Sequence, residues 1–213
     1  MSPGYSRGSH AVRRKLWNNS QPLTVRTVMN STRPVRIVAI SGSLRRASSN
    51  SALVSAALRV APDDVHVSVF HGLADLPAFN PDLESDSTPE AIISFRAKLR
   101  ACDAVLISSP EYALGVPGVL KNALDWVVGS GEFIDKPVAL INASSRATHA
   151  WASLAETLSV MSARVILDAS ITIPVQGKSL DADGITQDSG LSTLLRSSLE
   201  TLAKESKKLK VTS

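Results

Sequence analysis

From residue 35 onward, continuous apolar runs alternate with longer stretches whose apolar positions recur every three to four residues. The runs are VRIVAIS (35–41), VHVSVF (65–70), AVLISS (104–109), PVALINAS (137–144) and RVILDASITI (164–173). Each has strand length, and the first, third and fourth lack the polar alternation of a sheet wetted on one face. The stretches between them, 49–60, 88–101, 117–128, 149–163 and 191–209, carry helical periodicity. Five strands alternating with five helices predict an α/β fold, a three-layer α/β/α sandwich around a five-stranded parallel sheet. Ligands of such sheets bind beyond the carboxyl ends of the strands, where strand order reverses. The loops after the first, third and fourth runs are therefore the candidate site.

The pattern is missing from residues 1–34. That segment is rich in Ser, Asn and Arg, and holds six of the 23 basic residues with no Asp or Glu. It reads as a disordered basic leader ahead of one domain over 35–213. Met29 offers an alternative start, and a transit peptide is a second reading of a basic, acid-free leader. Removing the segment changes the meaning of the charge. The whole chain is +4, yet the remainder holds 17 basic against 19 acidic residues, which argues against nucleic acid as a partner. No apolar stretch approaches the roughly 20 residues of a membrane span, so no membrane partner is expected. The one cysteine, Cys102, cannot form an intramolecular disulfide, and a cytoplasmic location fits that usage. It reads as a small apolar residue near the core. No spacing of Cys, His or carboxylates suggests a metal, and no catalytic triad or carboxylate pair stands out.

After the first run the chain reads Ser41-Gly42-Ser43-Leu44-Arg45-Arg46-Ala47-Ser48-Ser49-Asn50-Ser51 and enters a helix. A phosphate monoester is held by amide N–H groups at a helix amino terminus, by hydroxyl and amide donors and by a guanidinium. Ser43, Ser48, Asn50 and Ser51 provide the donors and Arg45 the charge. The loop has neither the Gly-x-x-x-x-Gly-Lys-Ser/Thr of triphosphatases nor the Gly-x-Gly-x-x-Gly of dinucleotide folds. A terminal phosphate is the better match. Ser and Asn are also ordinary helix caps, and the sequence leaves that alternative open.

The third run leads through Ser109, Pro110, Glu111 and Tyr112 to Pro117-Gly118, which open the next helix. Backbone amides, a stiffening proline and an aromatic wall suit a flat heterocycle. Gly-Ser-Leu-Arg with Ser48 and Asn50, then Pro-Glu-Tyr, then Pro-Gly-Val-Leu-Lys-Asn-Ala-Leu-Asp-Trp over 117–126, together resemble the NADPH-dependent FMN reductase family. These are flavodoxin-like proteins that include chromate, quinone and azo-dye reductases. The resemblance covers roughly 35–167. It implies FMN, with its phosphate on Ser43, Arg45, Ser48 and Asn50 and its isoalloxazine bordered by Pro110, Glu111 and Tyr112. It further implies reduction by NADPH or NADH and electron transfer to a quinone, a flavin or another small-molecule acceptor, in a ping-pong cycle. The family forms homodimers or homotetramers, with the helix from Pro117 at the contact, so Lys121, Asn122, Asp125 and Trp126 become candidate interface and capping residues. Trp126, taken alone, is core or interface.

Two departures bear on this. Ala113 stands where the family commonly has Asn. The loop after the fourth run, Asn142 to Trp151, lacks the family's Gly pair, with Thr148 and His149 in its place, and Ser144 and Ser145 are its candidate contacts. His66 and His71 fit a sheet face and a turn, and Asp181, Asp183 and Gly184 fit a turn better than a calcium loop. The alternative functions are a flavodoxin-type electron carrier and a flavin-binding regulatory protein without turnover. The low aromatic content argues against the carrier, whose flavin would lie between two rings.

Overall fold

The computed structural model describes Met1 and residues 33–212, apart from 86, 176 and 179, with side chains as far as 209. The disordered leader expected over 1–34 thus falls almost wholly outside the described residues. Its last two residues do not behave as leader. The compact unit begins at Arg33, whose guanidinium donates to both carboxylate oxygens of Asp103 at 2.9 Å. Asp103 also accepts the Arg36 N–H at 2.8 Å and so anchors the start of the first strand.

Six parallel strands form one sheet: β1 (Val35–Ser41), β2 (Val65–Phe70), β3 (Ala104–Ser108), β4 (Pro137–Asn142), β5 (Arg164–Val165) and β6 (Ile171–Thr172). The order is β2-β1-β3-β4-β5, with β6 also paired to β4. Among the described residues six helices cover it: α1 (Ser49–Val60), α2 (Glu90–Ala101), α3 (Gly118–Val128), α4 (Thr148–Val160), α5 (Ala182–Gln187) and α6 (Ser189–Thr212). Successive strand residues point to opposite faces, and the two cores divide accordingly. Ile37, Ala39, Leu106, Ala139 and Ile141 pack with Leu53 of α1 and Leu195 and Leu199 of α6. Val38, Ile40, Val105, Ile107, Val138 and Leu140 pack with Phe95 of α2, Trp126 of α3 and Leu154 of α4. This is the expected three-layer sandwich, and it explains why β3 and β4 are apolar up to their last residues, Ser108 and Asn142.

The fifth strand corrects the expectation of one continuous run. A 3-10 turn at Leu167–Ala169 splits it into β5 and β6. Ser170 is the cause: its hydroxyl donates to Ile166 O at 2.8 Å and accepts the Leu140 N–H at 3.0 Å, so a side chain replaces the ladder bond that a strand would supply. The stretch read as a turn at Asp181 to Gly184 is the start of α5, where the Asp181 carboxylate accepts the Gly184 N–H at 2.8 Å as an N-cap.

Cys102 is buried, and its thiol donates to Leu99 O at 3.2 Å. Burial pushes its pKa up, so the neutral thiol dominates and the residue is a packing element rather than a nucleophile.

Candidate functional site

Strand order reverses between β1 and β3, and there the loops after β1, β3 and β4 bound one cavity of about 290 Å³. The first loop leaves β1 at Gly42, whose N–H donates to Ser108 O at 2.8 Å and stitches it to the end of β3. This approach needs glycine. A Cβ at position 42 would lie 2.8 Å from Ser109 Oγ, 3.1 Å from a Leu120 methyl and 3.3 Å from Ser109 Cα. Gly42→Ala is expected to push the two loops apart and cost about 1–3 kcal/mol, read as a lower denaturant midpoint at unchanged slope.

Ser48 N-caps α1, its Oγ accepting the N–H groups of Asn50 at 3.2 Å and Ser51 at 3.4 Å. With both lone pairs engaged, the hydroxyl proton is left to donate. Asn50 follows the same logic. Its Oδ1 accepts from the buried Ser108 hydroxyl at 2.9 Å, so the side-chain NH₂ is the group offered to the cavity. Ser43 Oγ accepts the Arg45 N–H at 3.3 Å. The loop thus consumes its acceptors internally and leaves donors outward. Arg45 is exposed and lines the same cavity, and among the described residues it forms no ion pair. Free donors plus an unpaired guanidinium suit a phosphate, whereas a helix cap alone would need only Ser48.

The opposite wall comes from Ser109 to Tyr112 and from the loop after β4. Tyr112 and Gly115 exchange backbone hydrogen bonds at 3.0 and 2.9 Å, and the two residues between them, Ala113 and Leu114, have φ of 49° and 61°. This is a two-residue turn of the kind that favours Asn or Gly. An L-residue other than these pays roughly 1 kcal/mol or more for that conformation. Ala113 and Leu114 therefore sit in a strained backbone beside Tyr112 at the cavity wall. Glu111 lines the cavity, and its carboxylate also accepts the Ala150 N–H at 2.9 Å, capping the first turn of α4. It ties the second loop to the third. Asn142, buried at the end of β4, holds the third loop closed: its Nδ2 donates to Ala147 O at 2.8 Å and its Oδ1 accepts the Ser144 N–H at 3.0 Å.

Of the residues expected from sequence, Ser43, Arg45, Ser48, Asn50, Pro110, Glu111, Tyr112 and Ser144 line this one cavity. Ser51 does not. Its hydroxyl is 3.0 Å from that of Ser41, on the far side of the loop. Ser145 is exposed and does not line it either. Ser49, Ser109, Asn142 and Arg146 line it without having been expected to. Asn142 had a legible signal, a polar residue closing a strand that is otherwise wholly apolar.

Residues 35–177 match the family described as NADPH-dependent FMN reductase. The chain belongs to that family. Among NADPH-dependent FMN reductase relatives, it is 31% identical over 173 residues to the NAD(P)H-dependent FMN reductase PA1204 of Pseudomonas aeruginosa, covering 79% of this chain and 93% of that protein. It is 42% identical over 120 residues to a probable NADPH:quinone oxidoreductase 2 of rice (Oryza sativa subsp. japonica). That match covers 54% of this chain and spans only 58% of the rice protein's length. The flavoenzyme NAD(P)H:(acceptor) oxidoreductase FerB of Paracoccus denitrificans superposes with a TM-score of 0.70 at 28% identity, over 82% of this chain and 98% of that one. The flavodoxin-like layering agrees with the likeness to FerB. The donor set around Ser43, Arg45, Ser48 and Asn50 fits the phosphate of the FMN in the family's description.

Proposed function

We propose that this chain is an NAD(P)H-dependent flavin oxidoreductase that holds FMN between the three loops and passes electrons to a quinone, a flavin or a similar small acceptor. The observation that carries the reading is the polarity of the first loop, where the Ser43, Ser48 and Asn50 acceptors are used internally and the donors face the cavity together with Arg45. FMN, when bound, supplies the hydride and electron chemistry. The chain's own residues position it. Ser43, Ser48, Asn50 and Arg45 hold the phosphate, Pro110 and Tyr112 border the ring, and Glu111 and Asn142 fix the second and third loops against each other. Tyr112 is exposed and is the one aromatic residue lining the cavity among the described residues. One face of the ring would then stay open to a nicotinamide or an acceptor, in contrast to the two-ring enclosure of an electron carrier.

No helix among the described residues is long and apolar enough to cross a membrane. A cytoplasmic setting and a homodimer or homotetramer complete the proposal, with the compact unit from Arg33 onward as the flavin domain. Asn122 and Trp126 are engaged inside the chain, so a contact through α3 would fall to its exposed positions, such as Val128.

The test is an absorbance spectrum after loading with FMN and removing the excess, followed by anaerobic addition of NADPH. A retained flavin band that bleaches is expected. A retained band that does not bleach would favour the electron carrier, and no retained band would refute the cofactor assignment.

A further inference from the structure

A second cavity, of about 310 Å³, adjoins the first across the phosphate loop and shares Ser43 and Arg45 with it. It opens on the β2 side. Arg46, His71 and Ser55 supply its polar wall, and Val54, Val69 and Leu73 are among its apolar lining. No Asp or Glu among the described residues lines it. Arg46 is exposed and forms no ion pair among the described residues. It does not line the flavin cavity. The first site already has guanidinium groups in Arg45 and Arg146, so the neighbouring Arg46, which lines the second cavity and not the first, is left for a different anion.

The chemistry of this cavity is specific enough to name its ligand class. An apolar floor accepts a planar base, and a guanidinium with hydroxyl and imidazole groups, in a cavity with no acid among its described lining residues, accepts a phosphate monoester. Its volume matches the lower end, about 300 Å³, of small-ligand sites. It also abuts the flavin cavity, so a long two-part substrate could reach both. Resting on the flavin oxidoreductase reading, we propose that this cavity receives the 2′-phosphoadenosine end of NADPH, with Arg46 on the 2′-phosphate. Arg46 is then a specificity residue that separates NADPH from NADH.

The experiment uses the full chain loaded with FMN and titrates 2′,5′-ADP, 5′-AMP and inorganic phosphate by calorimetry, in wild type and Arg46→Ala. The expected result is that wild type binds 2′,5′-ADP more tightly than 5′-AMP. The variant should lose about tenfold in 2′,5′-ADP affinity, with 5′-AMP binding and FMN retention unchanged. In steady state, KM for NADPH should rise by a similar factor while KM for NADH stays. Equal losses for 2′,5′-ADP and 5′-AMP, or no loss for either, would overturn the assignment. Loss of FMN in the variant would move Arg46 into the cofactor site and also overturn it. Inorganic phosphate competing as well as 2′,5′-ADP would reduce the cavity to a simple anion site, against the proposal. If wild type holds no FMN, the oxidoreductase reading fails on its own, and 2′,5′-ADP binding to the flavin-free chain still decides this one.

Discussion

Asn50→Asp is expected to lower FMN affinity by at least ~100-fold while leaving the domain folded. The substitution is isosteric. The carboxylate can keep the hydrogen bond from Ser108, 2.9 Å in the native side chain, so the buried partner is not orphaned. It also lies in the first turn of α1, where negative charge is favoured by the free amides and the helix dipole. What changes is the group facing the cavity. Two N–H donors become acceptor lone pairs, and a full negative charge is set against a phosphate. Losing a hydrogen bond to a charged group costs about 1.5–3 kcal/mol, and like charges at 4 Å in an environment of intermediate dielectric add roughly 4 kcal/mol. The check is a fluorescence titration with FMN and with riboflavin, which has the ring but no phosphate. Riboflavin affinity should stay constant. Equal shifts for the two ligands would mean that Asn50 acts through general loop geometry, and no shift for FMN would remove the phosphate from this loop.

The same residue shows how far the sequence can be read. A cluster of Ser and Asn before a helix is ambiguous between a cap and a ligand cradle, and only the tertiary partners resolve it. Ser48 does cap α1, while Asn50 reaches 58 residues along the chain to Ser108, at the end of the neighbouring strand. Strands β1, β3 and β4 are legible because burial on both faces leaves little polar residue in them, and β2, at the sheet edge, is legible because its valines alternate with the exposed His66 and Ser68. The fifth is not, because the apolar run 164–173 conceals Ser170, whose hydroxyl bonds Ile166 O and the Leu140 N–H. That bridge depends on the neighbouring strand, which no local pattern encodes. Glu111 is expected to border the ring and does line the cavity, yet its contact with the Ala150 N–H lies 39 residues away. Arg146 carries no signal of its own, since an isolated arginine in a loop usually means only solvation. The strained pair Ala113 and Leu114 carries none either, since neither residue type favours the left-handed backbone that both adopt.

Trp126→Ala is expected to destabilise the fold by about 3–5 kcal/mol, a large share of the total typical of single domains, roughly 5–15 kcal/mol. Sequence alone leaves this residue between core and interface. Its side chain is fully buried within one chain. The indole N–H donates to Pro77 O at 2.8 Å, and the ring meets Phe79 edge-on with centroids 5.1 Å apart. Asn122, one turn earlier on α3, donates to the same Pro77 carbonyl at 2.9 Å and accepts the Phe79 N–H at 2.8 Å. The pair therefore fastens the long connection between β2 and α2 onto α3. Removing the indole leaves a cavity, but Pro77 O keeps Asn122 as a donor, so the main loss is packing rather than an orphaned carbonyl. Trp126→Phe, which retains most of the volume, should cost clearly less. Denaturant unfolding at two protein concentrations separates the two readings of this residue. A core role predicts the same loss at both concentrations, whereas an interface role predicts a loss that shrinks on concentrating the protein. The connection does not line the flavin cavity, so the folded fraction of Trp126→Ala should retain FMN affinity. A variant that kept wild-type stability would break the link between the Lys-Asn-Ala-Leu-Asp-Trp stretch and the packing of this face of the sheet.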